Sequence, residues 1–156
     1  MQDTTRAWLE NLPPPENALE KDLRAAQWFA LSDQNLKDAR TLQNAGSYAS
    51  ACFHAQQAVL MALNGFLLVS DGQAKRAHSI GEVVGKELAR EEFAQFEPER
   101  LDRYYWGTRD PEAYEPSAII LRIFGRRDAE DAIRAAEGTI DILRNWAKEL
   151  GFVRAD

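Results

Sequence analysis

Residues 47–69, SYASACFHAQQAVLMALNGFLLV, constrain this chain more than any other stretch. Tyr48, Cys52, Ala55, Val59, Ala62 and Phe66 recur at helical spacing on one face. Phe53, Leu60, Leu63 and Leu67 fill the others, so a helix here has almost no side left for water. The rest of the chain has to surround it. Ala51, Ala55, Ala58 and Ala62, at steps of 4, 3 and 4, add a seam of small side chains along which a neighbouring backbone can come close. Beyond Ser50, the polar side chains in its middle are His54, Gln56, Gln57 and Asn64. Each needs a hydrogen-bond partner if buried, since an unpaired polar group costs about 1 to 3 kcal/mol.

A chain of 156 residues is the size of one domain and can close a single core without staples. Its net charge of −6 argues against broad electrostatic attachment to nucleic acid or to an anionic membrane, and leaves room only for a local basic site. Cys52 is the one cysteine and sits in the apolar stretch, so it reads as a buried, inert thiol, and a cytoplasmic location is expected. The opening MQDTTRAWLENLPPP has no basic region followed by a long apolar run, so no signal peptide is expected. The apolar tract at 58–63 stops at Asn64, short of the roughly 20 residues of a membrane span, and a soluble protein is expected.

Along the chain, residues 1–12 could form a short helix carrying Trp8, Leu9 and Leu12, broken by Pro13, Pro14 and Pro15. Residues 1–15 are therefore read as an extension and 16–156 as the domain. Asn17 and Glu20 have capping-box spacing and open a long helix whose inner face is expected at Leu23, Ala26, Ala30, Asp33, Leu36, Ala39 and Leu42 or Gln43. Gly46 ends it, Ser47 caps the central helix, and Gly72 ends that one. So short a link makes the two helices antiparallel. Ser79 and Glu82 form a second box, opening a short helix that turns Val83, Val84 and Leu88 inward, with Phe93 and Phe96 closing the region. Pro98 starts a further turn with Leu101, Tyr104 and Tyr105, and residues 107–116 read as loop. The run 117–124, SAIILRIF, reads as helix or irregular structure. Asp128 is expected to cap the last helix, whose seam is Ala129, Ala132, Ala136, Thr139, Leu143, Trp146 and Leu150. Long helices, short links and no alternating strands predict an all-α antiparallel up-and-down bundle.

With the helices placed, an ordered set of residues resembles the HEPN family. The set is Trp28-Phe29 and Asp33, then Gly46 and Tyr48, then Ala51 to Ala58 with His54, Gln56 and Gln57, then Ala62-Leu63. His78 before Ser79-Ile80, and Leu101-Asp102 followed by Tyr104-Tyr105 and Thr108-Arg109, continue it over roughly residues 22–150. The resemblance implies a four- or five-helix bundle, a homodimer, a nucleotide ligand and a small nucleotidyltransferase as partner. The chain departs from the family at Leu60, Met61 and Asn64, where lysines and a glutamate are common, and at Asp110-Pro111-Glu112, where Tyr-Pro-Asp is common. Ribonuclease relatives carry an arginine followed after 4 to 6 residues by a histidine, and neither His54 nor His78 has such an arginine. RNA cleavage is therefore not favoured, and a divergent, toxin-like ribonuclease or a purely structural dimeric adaptor are the alternatives.

The candidate ligand-binding residues are His78, Tyr104, Tyr105, Thr108 and Arg109. A guanidinium grips phosphate with two parallel hydrogen bonds and Thr108 adds a donor; otherwise Arg109 pairs with Asp102, Asp110 or Glu112. Tyr104 and Tyr105 offer stacking faces, although one of them is expected in the core. His78 contacts phosphate or simply bonds a backbone group. His54, Gln56 and Gln57 satisfy loop backbone or a facing polar residue such as Asp33, or else line a pocket. Arg122, Arg126 and Arg127 read as a solvated turn or as a phosphate contact. No catalytic residue, cofactor motif or metal-ligand cluster is read: two histidines and one cysteine are too few for zinc. A homodimer is also expected from the apolar surface of the central helix and of residues 117–124.

Overall fold

Helix α1 (Ala18–Asn44) begins where the Asn17 side chain accepts the Glu20 backbone N–H at 2.9 Å. The computed structural model from which this is read describes residues 15–87 and 91–153. Expectations for residues 1–12, Pro13, Pro14 and Leu88 lie outside them. The reciprocal half of the Asn17 box differs from expectation, because the Glu20 carboxylate accepts from the N–H of Glu16 instead. Gly46, at φ +79°, turns the chain into α2 (Tyr48–Asp71). Ser47 holds the cap position as expected, but its hydroxyl makes no capping bond.

The inner face of α1 consists of Ala25, Phe29, Ser32, Leu36 and Ala39. That corrects the expectation in its first half, where Leu23 and Ala30 are exposed. Two contacts with α2 set this rotation. The Phe29 ring lies against Gly65, where a Cβ would stand 3.0 Å from it, and Ser32 Oγ donates to the Ala58 carbonyl at 2.7 Å. A buried serine thus takes the place that a purely apolar reading gives to a neighbour.

Helix α2 is enclosed as its composition requires: from Ala58 to Val69 every residue but Met61 is buried. By length and hydropathy it could cross a membrane, yet 78% of that window is covered by the protein's own chain. Its apolar surface therefore needs no second subunit. The chain then climbs back along α2 in short pieces: α3 (Ile80–Glu87), α4 (Glu91–Ala94), a 3₁₀ turn (Pro98–Asp102), α5 (Arg103–Gly107) and the turns Pro111–Ala113 and Ile120–Arg122. This broken segment is the third limb of the bundle. It lets α6 (Arg126–Glu149) run parallel to α2, with Arg126 at Tyr48 and Trp146 at Phe66. Against α1 it is antiparallel, with Glu137 at Arg40 and Arg144 at Asp33. The result is an all-α up-and-down bundle with no strand among the described residues.

Two details of the last limb are corrected. Gly125 takes the cap position and Asp128 lies at the third helical residue, from which it accepts the Gly125 N–H at 2.9 Å. The seam from Ala129 to Trp146 is buried, but Leu150 is exposed. The helix has ended there, and Gly151 at φ +93° folds the chain so that Phe152 takes the inner place, 5.4 Å from the Phe29 ring. Residues 117–124 are irregular around their 3₁₀ turn and leave Ile119 and Leu121 exposed.

Cys52 lies fully inside, and burial pushes its thiol up to about 12, with the nearby Asp128 carboxylate adding to the shift. The thiolate is the reactive form, so the native protein should leave an aromatic disulfide reagent unreacted at about pH 8 and release one thiol equivalent only on unfolding in denaturant. Rapid reaction of the folded protein would show that the thiol is accessible.

Candidate functional site

The carboxylate of Asp102 joins the pieces of the return segment. It accepts from Ser79 Oγ at 2.9 Å, from the Ile80 N–H at 2.7 Å and from the Gly81 N–H at 2.9 Å. Ser79 Oγ in turn accepts the Glu82 N–H at 3.3 Å, so the first three amides of α3 all have partners. A negative charge here is also favoured by the positive end of that helix. Gln56 ties the assembly to the central helix: its Nε2 donates to the His78 carbonyl at 3.2 Å and to Asp102 at 3.3 Å, and its Oε1 accepts from Gln57 at 2.7 Å.

Two turns further along α2, Asn64 secures the approach to His78. Its Oδ1 accepts the Arg76 N–H at 2.9 Å while its Nδ2 donates to the Leu60 carbonyl. Arg76 has φ +51°, a left-handed conformation that costs a non-glycine residue on the order of 1 kcal/mol or more. The Asn64 bond offsets that cost. The loop before α3 is thus pinned at Arg76 and at His78, and the His78 side chain stands exposed.

Around it lies an aromatic surface. The Tyr105 ring is 5.5 Å from that of His78 and 6.2 Å from that of Phe53, and the Tyr105 hydroxyl lies 3.4 Å from His78 Nδ1. Trp106 packs edge-on to Tyr105 at 4.9 Å and is itself exposed. The Arg109 guanidinium rests over the Phe53 ring at 4.8 Å and the Tyr105 ring at 5.5 Å. Cation–π contact of this kind holds the group in place without neutralising it. Among the described residues no carboxylate pairs with Arg109: Asp102 is occupied with α3, and Asp110 accepts the Glu112 N–H.

The structure therefore brings His78, Tyr105 and Arg109 together and places Tyr104 and Thr108 elsewhere. Tyr104 is buried, packed edge-on against Phe124 at 5.2 Å. Thr108 Oγ1 donates to the Tyr104 carbonyl at 2.6 Å at the end of α5. Of the residues that carry the family resemblance, Asp33 pairs with Arg144 at 2.5 Å and His54 Nδ1 meets Asn35 Oδ1 at 3.0 Å, both linking helices. Arg126 reaches Tyr48, while Arg122 and Arg127 are exposed. Among the described residues no group of His, Cys, Asp and Glu could hold a metal ion. Sequence reasoning missed Phe53 and Trp106 as surface aromatics and did not see Asn64 as a loop clamp. It had Asp102 within the signature without its role. The signal for Asp102 was its place in the signature, between Leu101 and the tyrosine pair.

The described residues form a helical module with a pinned loop and an exposed arginine–aromatic surface. The pattern that defines the HEPN domain matches residues 25–146. Among solved structures, TT1696 from Thermus thermophilus is 33% identical, with a TM-score of 0.70 over 79% of this chain and 98% of that one. ST0689, an archaeal HEPN homologue, is 26% identical, with a TM-score of 0.65 over 79% of this chain and 97% of that one. No curated protein matches significantly. The chain belongs to the HEPN family.

Replacing Asp102 by Ala should cost about 2 to 3 kcal/mol of stability, because a charged acceptor serving several donors is lost. Asn, which keeps one acceptor oxygen, should fall between Ala and the native protein. Urea unfolding with an unchanged m value measures this. A loss below about 0.5 kcal/mol, the scale of an ordinary surface change, would mean that the carboxylate is dispensable.

Proposed function

We propose that this HEPN bundle is a non-catalytic binding module that holds a phosphate-bearing ligand, a nucleotide first of all, on the surface of His78, Phe53, Tyr105 and Arg109. The observation that carries this reading is Arg109, held over two ring faces with no acidic partner among the described residues. Its N–H edges stay available for a phosphate, which guanidinium binds bidentately. Tyr105 and the exposed Trp106 give a base something to stack on, and base stacking on an aromatic side chain contributes about 1 to 3 kcal/mol. The phosphate can arrive on a free nucleotide or on one presented by a nucleotidyltransferase partner, as the family resemblance implies. His78 and Arg109 flanking one tyrosine also support the divergent-ribonuclease alternative, since general acid–base and phosphate-holding groups share that surface.

In a thermal-shift titration, a ribonucleoside triphosphate should raise the melting temperature of the native protein, and Arg109→Ala should weaken binding about tenfold or more, the scale of one charge-assisted contact. No shift with any common ribonucleotide would sink the reading. Cleavage of added RNA by pure protein that disappears in His78→Ala would replace it by the ribonuclease alternative.

We also propose a homodimer, now resting on Ile119 and Leu121, which stand exposed in the irregular stretch before α6. Sedimentation should show a dimer at micromolar concentration that Leu121→Asp converts to monomer; a native monomer would exclude it.

A further inference from the structure

A chain of side-chain amides leads from the return segment to the outer side of α2. The Asp102 carboxylate accepts from Ser79 Oγ and from the Ile80 and Gly81 N–H groups, and the His78 carbonyl has only acceptor capacity. Both require a donor from Gln56, whose Nε2 serves them at 3.3 and 3.2 Å. Gln56 Oε1 is left to face Gln57, whose Nε2 donates to it at 2.7 Å. Gln57 Oε1 ends the chain and accepts no hydrogen bond from the described residues. We infer that Gln57 is the specificity-determining residue of the surface proposed above, a reading on which this rests: it presents that oxygen to the base and selects a 6-aminopurine nucleotide over a 6-oxopurine one.

The orientation is fixed because every alternative sets two acceptors against each other. Turning the Gln57 amide over brings its oxygen to Gln56 Oε1. Turning Gln56 as well brings an oxygen to the His78 carbonyl and to the Asp102 carboxylate at once. A freely rotating glutamine would meet an amino or an oxo group with equal ease, since its amide has both a donor and an acceptor end. A relay anchored on a carboxylate and a backbone carbonyl removes that freedom, and a mismatch inside it costs more than the same mismatch in water.

The position of Gln57 suits contact with a base. It follows Phe53 by one turn of α2, and side chains on a helix lean toward its N-terminus, so Gln57 lies over the Phe53 turn. Both are half-buried, with part of each side chain open to solvent. The Phe53 ring carries the Arg109 guanidinium at 4.8 Å and has the Tyr105 ring beside it at 6.2 Å. Through Gln56 the same amide is joined to the backbone of His78. A phosphate on Arg109 thus leaves its base between Tyr105 and Gln57. Adenine offers the N6 amino group as a donor to an oxygen there, whereas guanine and hypoxanthine carry O6, a second acceptor.

Calorimetric titration of the full chain with ATP and with ITP tests this, because ITP has an oxo group where ATP has the amino group. The native protein should bind ATP at least about tenfold more tightly, the scale of one matched base contact. Gln57→Ala should bring the two affinities within about twofold of each other by weakening ATP alone, and its retained affinity for ITP shows that the variant is folded. Arg109→Ala should weaken both to the same extent, since both carry the same phosphates. Equal affinities in the native protein, tighter binding of ITP, or a preference for ATP that survives Gln57→Ala overturns the inference and leaves the nucleotide surface standing. Binding of neither nucleotide removes that surface, and the inference with it.

Discussion

A primary amide with no exposed surface, in the middle of the most apolar helix of the chain, has to be paired from outside that helix, and Gln56 is such a group. Its partners are the His78 carbonyl and the Asp102 carboxylate, one before α3 and one at the end of the 3₁₀ turn Pro98–Asp102. Burying the amide unpaired would cost more than most single contacts in the bundle contribute. The return segment therefore cannot slide along α2 without exposing that cost. Apolar packing alone would permit many positions for pieces as short as α3, α4 and α5, because hydrophobic contact has no direction. The hydrogen-bonded relay supplies the register at His78, at the start of α3 and at Asp102.

The long helices were legible because their signals are periodic and redundant. Several apolar residues agree for each, joined by a glycine stop for α1 and α2, so an error at one position does not change the element. What misled was local. Ser32 and Gly65 decide the rotation of α1, the one through a hydroxyl donated to a carbonyl and the other through a missing side chain, and neither registers as apolar. Leu150 fits the spacing of α6 but lies past its end, and Phe152 takes the inner place because Gly151 permits the reversal. The tyrosine pair was readable as a class, with one member inside and one outside. Which was which depended on the angle at which α5 meets α2, and no residue of the pair encodes that angle.

The candidate surface was half legible for a related reason. His78, Tyr105 and Arg109 are residue types that bind phosphates or bases, and the family resemblance pointed to them. That Arg109 would rest on Phe53 rather than on one of its acidic neighbours is a matter of which partners remain after α3 has taken Asp102 and the next turn has taken Asp110. Competition for acceptors of this kind is settled only in three dimensions. The replacement of a family lysine by Asn64 shows the same: a change that reads as loss of a charge on α2 serves to hold the backbone at Arg76.

The parallel course of α2 and α6 also bears on how the molecule assembles and loosens. The α1–α2 hairpin closes through residues 45–47 and needs no other part of the chain to bring its two halves together. Docking α6 closes the whole return segment as one long loop, which carries the larger entropic cost. The hairpin is accordingly the natural folding nucleus, and the short pieces between Gly72 and Gly125 are the part fixed last. His78, Tyr105 and Arg109 all belong to those pieces, so the surface they form can open while the three long helices stay closed.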